Sequence, residues 1–130
     1  MNKHRRNYGW HRDFPDHRDY LYKPTLTALP SLVDFRSKLP SVYNQGALGS
    51  CTSNAIAGAV SYIWMQGSMG SVIPSRLFIY YNERAIEGTI GQDSGAQLRD
   101  GIKTLNQSGV CSERIWPYDI SKFAQKPSGL

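Results

Sequence analysis

The sequence has little of the cysteine and histidine from which disulfide frameworks and zinc sites are built. Its 130 residues include two cysteines, Cys51 and Cys111, and three histidines. The cysteines form no CxxC motif, and no histidine stands at a zinc-ligand spacing from either of them. All three histidines, His4, His11 and His17, precede the first cysteine. The sequence therefore predicts neither a disulfide framework nor a bound metal, and it implies no cofactor.

Long apolar segments are absent as well. No run of about 18 apolar residues occurs, which excludes a membrane-spanning helix. The first residues, MNKHRR, are charged, but no apolar segment follows them as it would in a secretory signal. We therefore expect a cytoplasmic protein with reduced thiols and no membrane partner. The net charge is +5, yet beyond MNKHRR the basic residues are interleaved with Asp and Glu, so we expect no nucleic-acid partner.

The composition, with 40% hydrophobic and 19% charged residues, suits one soluble domain with a modest core. We divide the chain into an N-terminal arm, residues 1–30, and a domain, residues 31–130. The arm sustains neither helical nor strand periodicity. It is nevertheless rich in aromatic residues, in which disordered segments are poor. We therefore predict that the arm lies on the domain and buries six large side chains: Tyr8, Trp10, Phe14, Tyr20, Leu21 and Tyr22.

The domain is predicted to be mainly helical, with one short strand near its beginning. Residues 32–36, LVDFR, alternate between apolar and polar side chains as strands do. From Cys51 onwards, apolar residues recur at spacings of three and four, on more than one helical face. This pattern predicts a central, buried helix that ends near Gly67 and Gly70.

A second helix follows with recognisable ends. Ser75 is a typical N-cap, and Gly88 stands where a terminating glycine belongs. Three charged residues on this helix, Arg76, Glu83 and Arg84, are predicted to form ion pairs on the surface and no more.

The third helix is predicted to be capped by Asp93 or Ser94 and to end at Gly109. An apolar stripe along it is formed by Leu98, Ile102 and Leu105. Cys111 follows the helix in an apolar context. A buried small side chain is the favoured interpretation of this cysteine, over a second redox thiol.

The cysteine at the start of the central helix has the surroundings of a nucleophile. Unpaired N–H groups and the helix dipole stabilise a thiolate at a helix N-terminus. Gly46 and Gly49 let the preceding loop turn tightly and let a substrate backbone approach Cys51. The side-chain NH2 of Gln45, together with the Cys51 backbone N–H, is suited to hold a developing oxyanion. On these residues alone, a buried structural cysteine is an equally good interpretation.

Two segments resemble the papain-like (C1) cysteine peptidases. The first is LPSLVDFRSKLPSVYNQGALGSCTSNAIAGAV, residues 29–60, with the V-D-[WF]-R pattern, the N-Q-G loop and G-S-C at the head of a helix. The second is SGAQLRDGIKTLNQSGVCSERIWPYD, residues 94–119, with the glycine turn at Gly95 and a [YW]-P-Y segment ending at Tyr118. The arm is similar to the leader of a bacterial-type branch of these peptidases.

The resemblance implies an α+β, papain-like fold, of which this chain would be mainly the helical left half. It implies that Cys51 is the nucleophile and that Gln45 builds the oxyanion hole. It also places substrate contacts at four residues: Gly49, Ser50, Gly95 and Ala96. The family's catalytic histidine and asparagine lie roughly 130–150 residues beyond the cysteine, which is past residue 130. A β-rich second half would carry them. His17 is the best placed of the upstream histidines, but a solvated or capping role suits it better.

Three positions depart from the family's local signature. Leu48 replaces its first cysteine, and Asp93 stands where we expect the disulfide partner of that cysteine. Thr52 replaces the aromatic residue after the nucleophile, which weakens the packing expected there. Besides the role of a helix cap, Asp93 has a second interpretation, as a residue at the edge of the cleft that influences substrate choice.

The resulting prediction is a cysteine-type peptidase that cleaves peptides or proteins through a thioester acyl-enzyme, present here as an N-terminal part and inactive alone. Two alternatives remain open. One is a non-catalytic binding or inhibitory module that keeps the half-fold. The other is a split enzyme completed by a second polypeptide that brings the histidine and asparagine. The arm is interpreted as a permanent strap rather than an inhibitory pro-segment, because it is short.

Overall fold

The computed structural model describes residues 8–25, 28–67 and 69–128. Within these ranges lie three helices and one pair of two-residue strands. In chain order the elements are β1 (Trp10–His11), α1 (Cys51–Gln66), α2 (Arg76–Glu87), β2 (Ala96–Gln97) and α3 (Leu98–Ser108). Two short 3-10 turns, Arg36–Lys38 and Ile120–Lys122, complete the regular structure of the described ranges. No helix described there has both the length and the apolar character needed to span a membrane.

The middle helix, α2, forms the centre of the domain. It packs against both α1 and α3, and its residues Leu77, Ile79 and Tyr80 are completely buried. One apolar cluster joins α2 to Trp116 in residues 110–128, which we call the C-terminal segment, and a second joins it to α1 at Ile56. Burial of these side chains on several sides of α2 supplies the main hydrophobic stabilisation of the fold.

The helix that starts at the cysteine runs as predicted but is less buried than predicted. It begins at Cys51, and Gly67 caps its end, where the glycine N–H closes the last turn. The prediction of a central, buried helix is wrong for one of its sides, and the central position belongs to α2. Ala55, Ala59 and Ile63 are exposed along one side, because α2 and α3 cover only the opposite side within the described ranges.

The ends of α2 confirm the predicted caps. The Ser75 hydroxyl accepts a hydrogen bond from the Phe78 N–H at 3.1 Å, which satisfies one of the free donors of the first turn. Gly88 ends the helix in the left-handed conformation with φ 71°. A side chain with a Cβ rarely adopts this backbone conformation, so glycine is favoured there.

The charged residues of α2 contradict the prediction of surface ion pairs. Arg76, Glu83 and Arg84 are all buried. The partner of Arg76 is Glu113 on the C-terminal segment, 2.6 Å from Nε. The partner of Glu83 is Thr52 of α1. Periodicity within one helix did not reveal these partners, because they lie on other parts of the chain.

Arg84 connects three parts of the fold. Its guanidinium donates to the carbonyls of Ile90 (2.7 Å), Gln92 (3.1 Å) and Phe123. Its Cζ lies 4.0 Å from the centroid of the Tyr80 ring. The loop after α2 and the C-terminal segment are therefore fastened to the helix by one buried cation, whose planar fork of donors matches several carbonyls at once.

The third helix ends at Gly109 as predicted, but its start differs. Its N-cap is Gln97, and neither Asp93 nor Ser94 caps it. Two strand residues precede the helix and move its start beyond the two residues expected as caps. The face of α3 that packs inwards is also polar and small. It contains Asp100, Gly101 and Thr104, whereas the apolar stripe borders an open groove beside α1 lined by Ala55, Ile56, Ala59, Val60, Ile63, Leu98, Ile102 and Leu105.

The strand predicted for residues 32–36 does not form. This segment is irregular and exposed, and a 3-10 turn begins at Arg36. The Asp34 carboxylate accepts from the Arg36 backbone N–H at 2.9 Å and also from its guanidinium. A strand needs a neighbouring strand for its backbone groups, and in the described ranges this segment has none. The local Asp–Arg hydrogen bonds form a turn instead.

The arm lies against the domain, but the prediction that it buries its rings is wrong. All six side chains named above are exposed, and Tyr20 is exposed completely. The arm's hydrogen bonds to the domain include those of the Gly9 carbonyl and of the Asp13 and Asp19 carboxylates. Of the six side chains, the half-exposed Trp10 ring also lines an apolar pocket of the domain. Residues 1–7, which include His4 and MNKHRR, and residues 26–27 lie outside the described ranges.

Candidate functional site

Cys51 stands at the first position of α1 with a free, partly buried thiol. The Ser50 carbonyl before it accepts the Asn54 N–H at 3.1 Å and so closes the first helical turn. An apolar pocket at this helix end is lined by Trp10, Cys51, Thr52, Ala55 and Leu98. The thiol therefore lies at a helix N-terminus and also lines an apolar pocket. The indole ring of Trp10, from the arm, lines the same pocket.

Gln45 lies on the loop of residues 43–50, which we call the pre-helix loop. Its side-chain Nε2 donates to the Leu48 carbonyl at 2.9 Å, which fixes the orientation of the amide. Gly46, with φ 65°, makes the turn after it, and the Asn44 side chain accepts the Gly46 N–H at 2.9 Å. The loop is therefore ordered by its own polar groups between the glutamine and the cysteine.

Asp93 joins the pre-helix loop to the turn at Gly95. Both of its carboxylate oxygens lie 3.0 Å from the Gly49 nitrogen, and the Tyr80 hydroxyl donates to Oδ1 at 2.5 Å. The Gly95 N–H donates to the same Tyr80 hydroxyl at 3.1 Å. Burial and the neighbouring Asp93 carboxylate raise the pKa of Tyr80, so its hydroxyl stays protonated and able to donate. Asp93 thus connects two loops non-covalently.

The arm occupies the gap between these two loops. Gly9 is buried, and its carbonyl accepts the Ala96 N–H at 2.7 Å. A Cβ on Gly9 would lie 1.9 Å from the Gly49 oxygen and 2.6 Å from the Gly95 Cα. The next residues pair in parallel with β2, Trp10 opposite Ala96. An extended peptide therefore already lies at the backbone edge to which the sequence assigned substrate contacts.

Charged groups hold the arm farther along. The Asp13 carboxylate accepts the Arg99 N–H at 2.8 Å, in the first turn of α3, where negative charge is favoured. Asp19 binds the Arg99 guanidinium through two hydrogen bonds of 2.7 Å, and these hydrogen bonds lower the pKa of Asp19. His17, by contrast, has a side chain that is 94% exposed, and its contact is with the neighbouring Asp16.

The predicted site residues fall into two groups in the structure. Gln45, Gly49, Ser50 and Cys51 share the continuous turn from the pre-helix loop into α1. Gly95 and Ala96 line the facing edge, across the gap filled by Gly9. Ser50 is fully buried with its side chain turned inwards, so any contact with a substrate would be through its backbone.

A buried acid lies beneath the cysteine. The Thr52 hydroxyl donates to Glu83 Oε2 at 2.9 Å, and both residues are buried. Oε1 of Glu83 has no hydrogen-bond partner among the described residues. Burial raises the pKa of Glu83 to about 8, so the carboxyl is neutral at pH 7. Thr52, which takes the place of the family's aromatic residue, is thus held by a hydrogen bond rather than by aromatic packing.

Glu83→Gln should remove a pH dependence of stability. The pKa of Glu83 in the folded chain, about 8, is above its ordinary value of 4.5. Its contribution is therefore complete below pH 4.5 and is lost as pH rises towards 8, by a few kcal/mol. The glutamine side chain of the variant still accepts the hydrogen bond from Thr52, but it does not gain or lose a proton in this pH range. Urea unfolding at pH 5 and pH 8 should show a larger decline for the wild type than for the variant. Equal declines would show that Glu83 is not held neutral.

Comparisons with known proteins agree with this architecture. No family model matches the chain. An uncharacterised peptidase C1-like protein of Acanthamoeba polyphaga mimivirus is 43% identical in an alignment of 142 residues, which covers 94% of this chain and 46% of the viral protein. The crystal structure of xylellain, a cysteine protease from Xylella fastidiosa, matches with a TM-score of 0.81 and 44% identity, over 99% of this chain and 55% of that one. The fold is the helical half of a papain-like cysteine peptidase. This papain-like half spans about half the length of both relatives.

The resemblance and the fold class read from the sequence are therefore confirmed. Several residues that surround the site in the papain-like half were not predicted. Tyr80, Glu83 and Tyr118 each have a polar atom close to the predicted site residues or to Thr52 beside them. A signal existed for Glu83, because it lies one turn after Ile79 on the same face of α2, where a buried charge needs a partner.

Proposed function

We propose that the complete protein is a papain-like cysteine peptidase with Cys51 as its nucleophile. The observation that carries the proposal is the placement of Cys51 at the N-terminus of α1, opposite a backbone edge that already holds an extended peptide. Such an edge favours peptide substrates, because main-chain hydrogen bonds recognise any sequence in extended form. The similarity to xylellain and to the viral peptidase-like protein supports the same chemistry.

In this proposal the Cys51 thiolate attacks the scissile carbonyl carbon. The carbonyl oxygen becomes an oxyanion, held by the Cys51 backbone N–H and by the Gln45 side chain. The C–N bond then breaks, the amine leaves with a proton from a histidine, and a thioester remains on the sulfur. Water hydrolyses the thioester and regenerates the thiol. The histidine and the asparagine that orients it would come from the remainder of the complete protein.

We further infer that the arm acts as an occupant of the substrate position rather than as a strap. A strap would stabilise the fold through buried apolar area, but the arm's large side chains are exposed. Its closest contacts are instead at the gap, between Gly9 and the backbones of Gly49 and Gly95. In the complete protein, deleting residues 1–30 should raise peptidase activity and change the melting temperature little. A large drop in melting temperature without a gain in activity would support the strap.

The proposed reaction is tested by trapping its intermediate. The complete protein would be mixed with a peptide p-nitrophenyl ester, quenched with acid and digested, and the mass of the Cys51-containing fragment measured. We expect an added acyl mass on Cys51. If the peptide binds, no acyl group appears and Cys51→Ala binds equally well, the chain is a binding module. If acylation requires a second polypeptide, the protein is a split enzyme.

A further inference from the structure

The hydroxyl of Tyr118 lies between the two residues to which the proposed function assigns chemistry. It donates to the Gln45 backbone carbonyl at 3.0 Å and lies 2.5 Å from the Ser50 hydroxyl, directly before Cys51. Ser50 also accepts from the Asn54 side chain at 3.1 Å, one turn into α1. A continuous series of hydrogen bonds therefore runs from α1 through Ser50 and Tyr118 to the backbone of Gln45.

The Tyr118 ring is held in place by a buried guanidinium. The Arg76 Cζ lies 4.0 Å from the ring centroid of Tyr118 and 4.6 Å from that of Tyr43, so the cation lies close to both rings. Glu113 binds its Nε at 2.6 Å. Because Tyr43 begins the pre-helix loop, Arg76 holds the start of that loop and the tyrosine of the C-terminal segment together.

The same guanidinium also completes the hydrogen-bond network. Its Nη1 donates to the Asn44 carbonyl at 3.3 Å and to the Asn54 side-chain oxygen at 3.2 Å. Asn54 is the residue that donates to Ser50, so its amide oxygen and nitrogen are both used. The start of the pre-helix loop is thus attached to α2 through Arg76, and its end is attached to α1 through Asn54. Hydrogen bonds linked in this way strengthen one another in a poorly solvated site.

We propose that Tyr118 is a positioning residue that fixes the distance between Gln45 and Cys51 through its hydroxyl. The inference rests on the proposed function for its catalytic meaning, although the loop order it describes can be measured without any activity. The proposed role belongs to the hydroxyl oxygen of Tyr118 and not to its ring. Ring packing on Arg76 explains why an aromatic residue is present, but only the oxygen contacts both Gln45 and Ser50.

The test is Tyr118→Phe, which keeps the ring and removes the oxygen. The matched control is Tyr62→Phe, since Tyr62 packs its ring against Phe35 at a centroid distance of 5.3 Å. In this 130-residue chain, amide hydrogen exchange of Gly46 and Gly49 should become about tenfold faster in Tyr118→Phe and stay unchanged in the control. Unchanged exchange at both glycines in Tyr118→Phe would overturn the proposal.

A second measurement connects the loop to catalysis. In the complete protein, Tyr118→Phe should lower kcat about tenfold with KM within twofold, because Gln45 would act on the oxyanion and not on the bound substrate. A rise in KM alone would show that the hydroxyl serves substrate binding instead. If the wild-type protein cleaves no peptide, the proposed function fails, while the exchange result still decides whether Tyr118 orders the loop.

Discussion

Replacing Gly9 by alanine should release the arm from the gap beside Cys51. The added Cβ would lie 1.9 Å from the Gly49 oxygen and 2.6 Å from the Gly95 Cα. Both neighbours are backbone atoms, which cannot turn away as the end of a flexible side chain can. Overpacking of this kind costs about 1–3 kcal/mol. The arm should therefore leave the gap while the domain stays folded.

Two measurements would report the release. The Ala96 N–H loses the Gly9 carbonyl as its acceptor, so its hydrogen exchange should become at least about tenfold faster. Alkylation of Cys51 by iodoacetamide should also accelerate, because the Trp10 ring leaves the pocket that the thiol shares. Gly91→Ala is the control, since a Cβ there would contact nothing within 4 Å. Retained protection of Ala96 in Gly9→Ala would mean that the arm does not depend on the gap.

Replacing Arg84 by alanine should strongly destabilise the folded domain. The guanidinium is fully buried and donates to the carbonyls of Ile90, Gln92 and Phe123. Without it these carbonyls lose a donor, and a cavity forms over the Tyr80 ring. The combined cost is about 3–5 kcal/mol. For a domain of this size the melting temperature should fall by more than about 10 °C.

The comparison that isolates the guanidinium uses two further variants. Arg84→Lys keeps the charge but not the planar fork of donors, so it should recover less than half of the loss. Arg114→Ala removes an exposed arginine of equal charge, and its melting temperature should stay within about 2 °C of the wild type. Thermal unfolding followed by circular dichroism measures all three. A wild-type melting temperature in Arg84→Ala would refute the structural role assigned to this residue.

The sequence predicted those features that depend on neighbouring residues. The serine and glycine at the ends of α2 are local signals, and the structure has both caps where they were expected. The start of α1 at Cys51 and its end at Gly67 follow from the same kind of signal. The spacing of the motifs also predicted the fold class, because glycine turns and a cysteine at a helix start recur in a fixed order in the papain-like family.

Features that depend on distant residues were not predictable from patterns within the chain. Glu113, the partner of Arg76, lies 37 residues later in the chain. Helical periodicity alone suggests that Arg76 is an exposed charge. The parallel pairing of Trp10 with Ala96 joins the arm to a turn far along the chain. Aromatic content correctly suggested that the arm would lie on the domain. It suggested the wrong atoms, because the closest approach to the domain is made by the Gly9 backbone and the large side chains are exposed.

We propose that Cys51 performs the chemistry of a peptidase in the complete protein. This proposal is tested most directly by measuring hydrolysis of a fluorogenic peptide mixture by the complete protein and by its Cys51→Ala variant, with melting temperatures recorded in parallel. We predict turnover by the wild type, a loss of at least about a thousandfold in the variant, and little change in its melting temperature. Equal turnover by the two proteins would contradict the claim, and would place the activity at another residue.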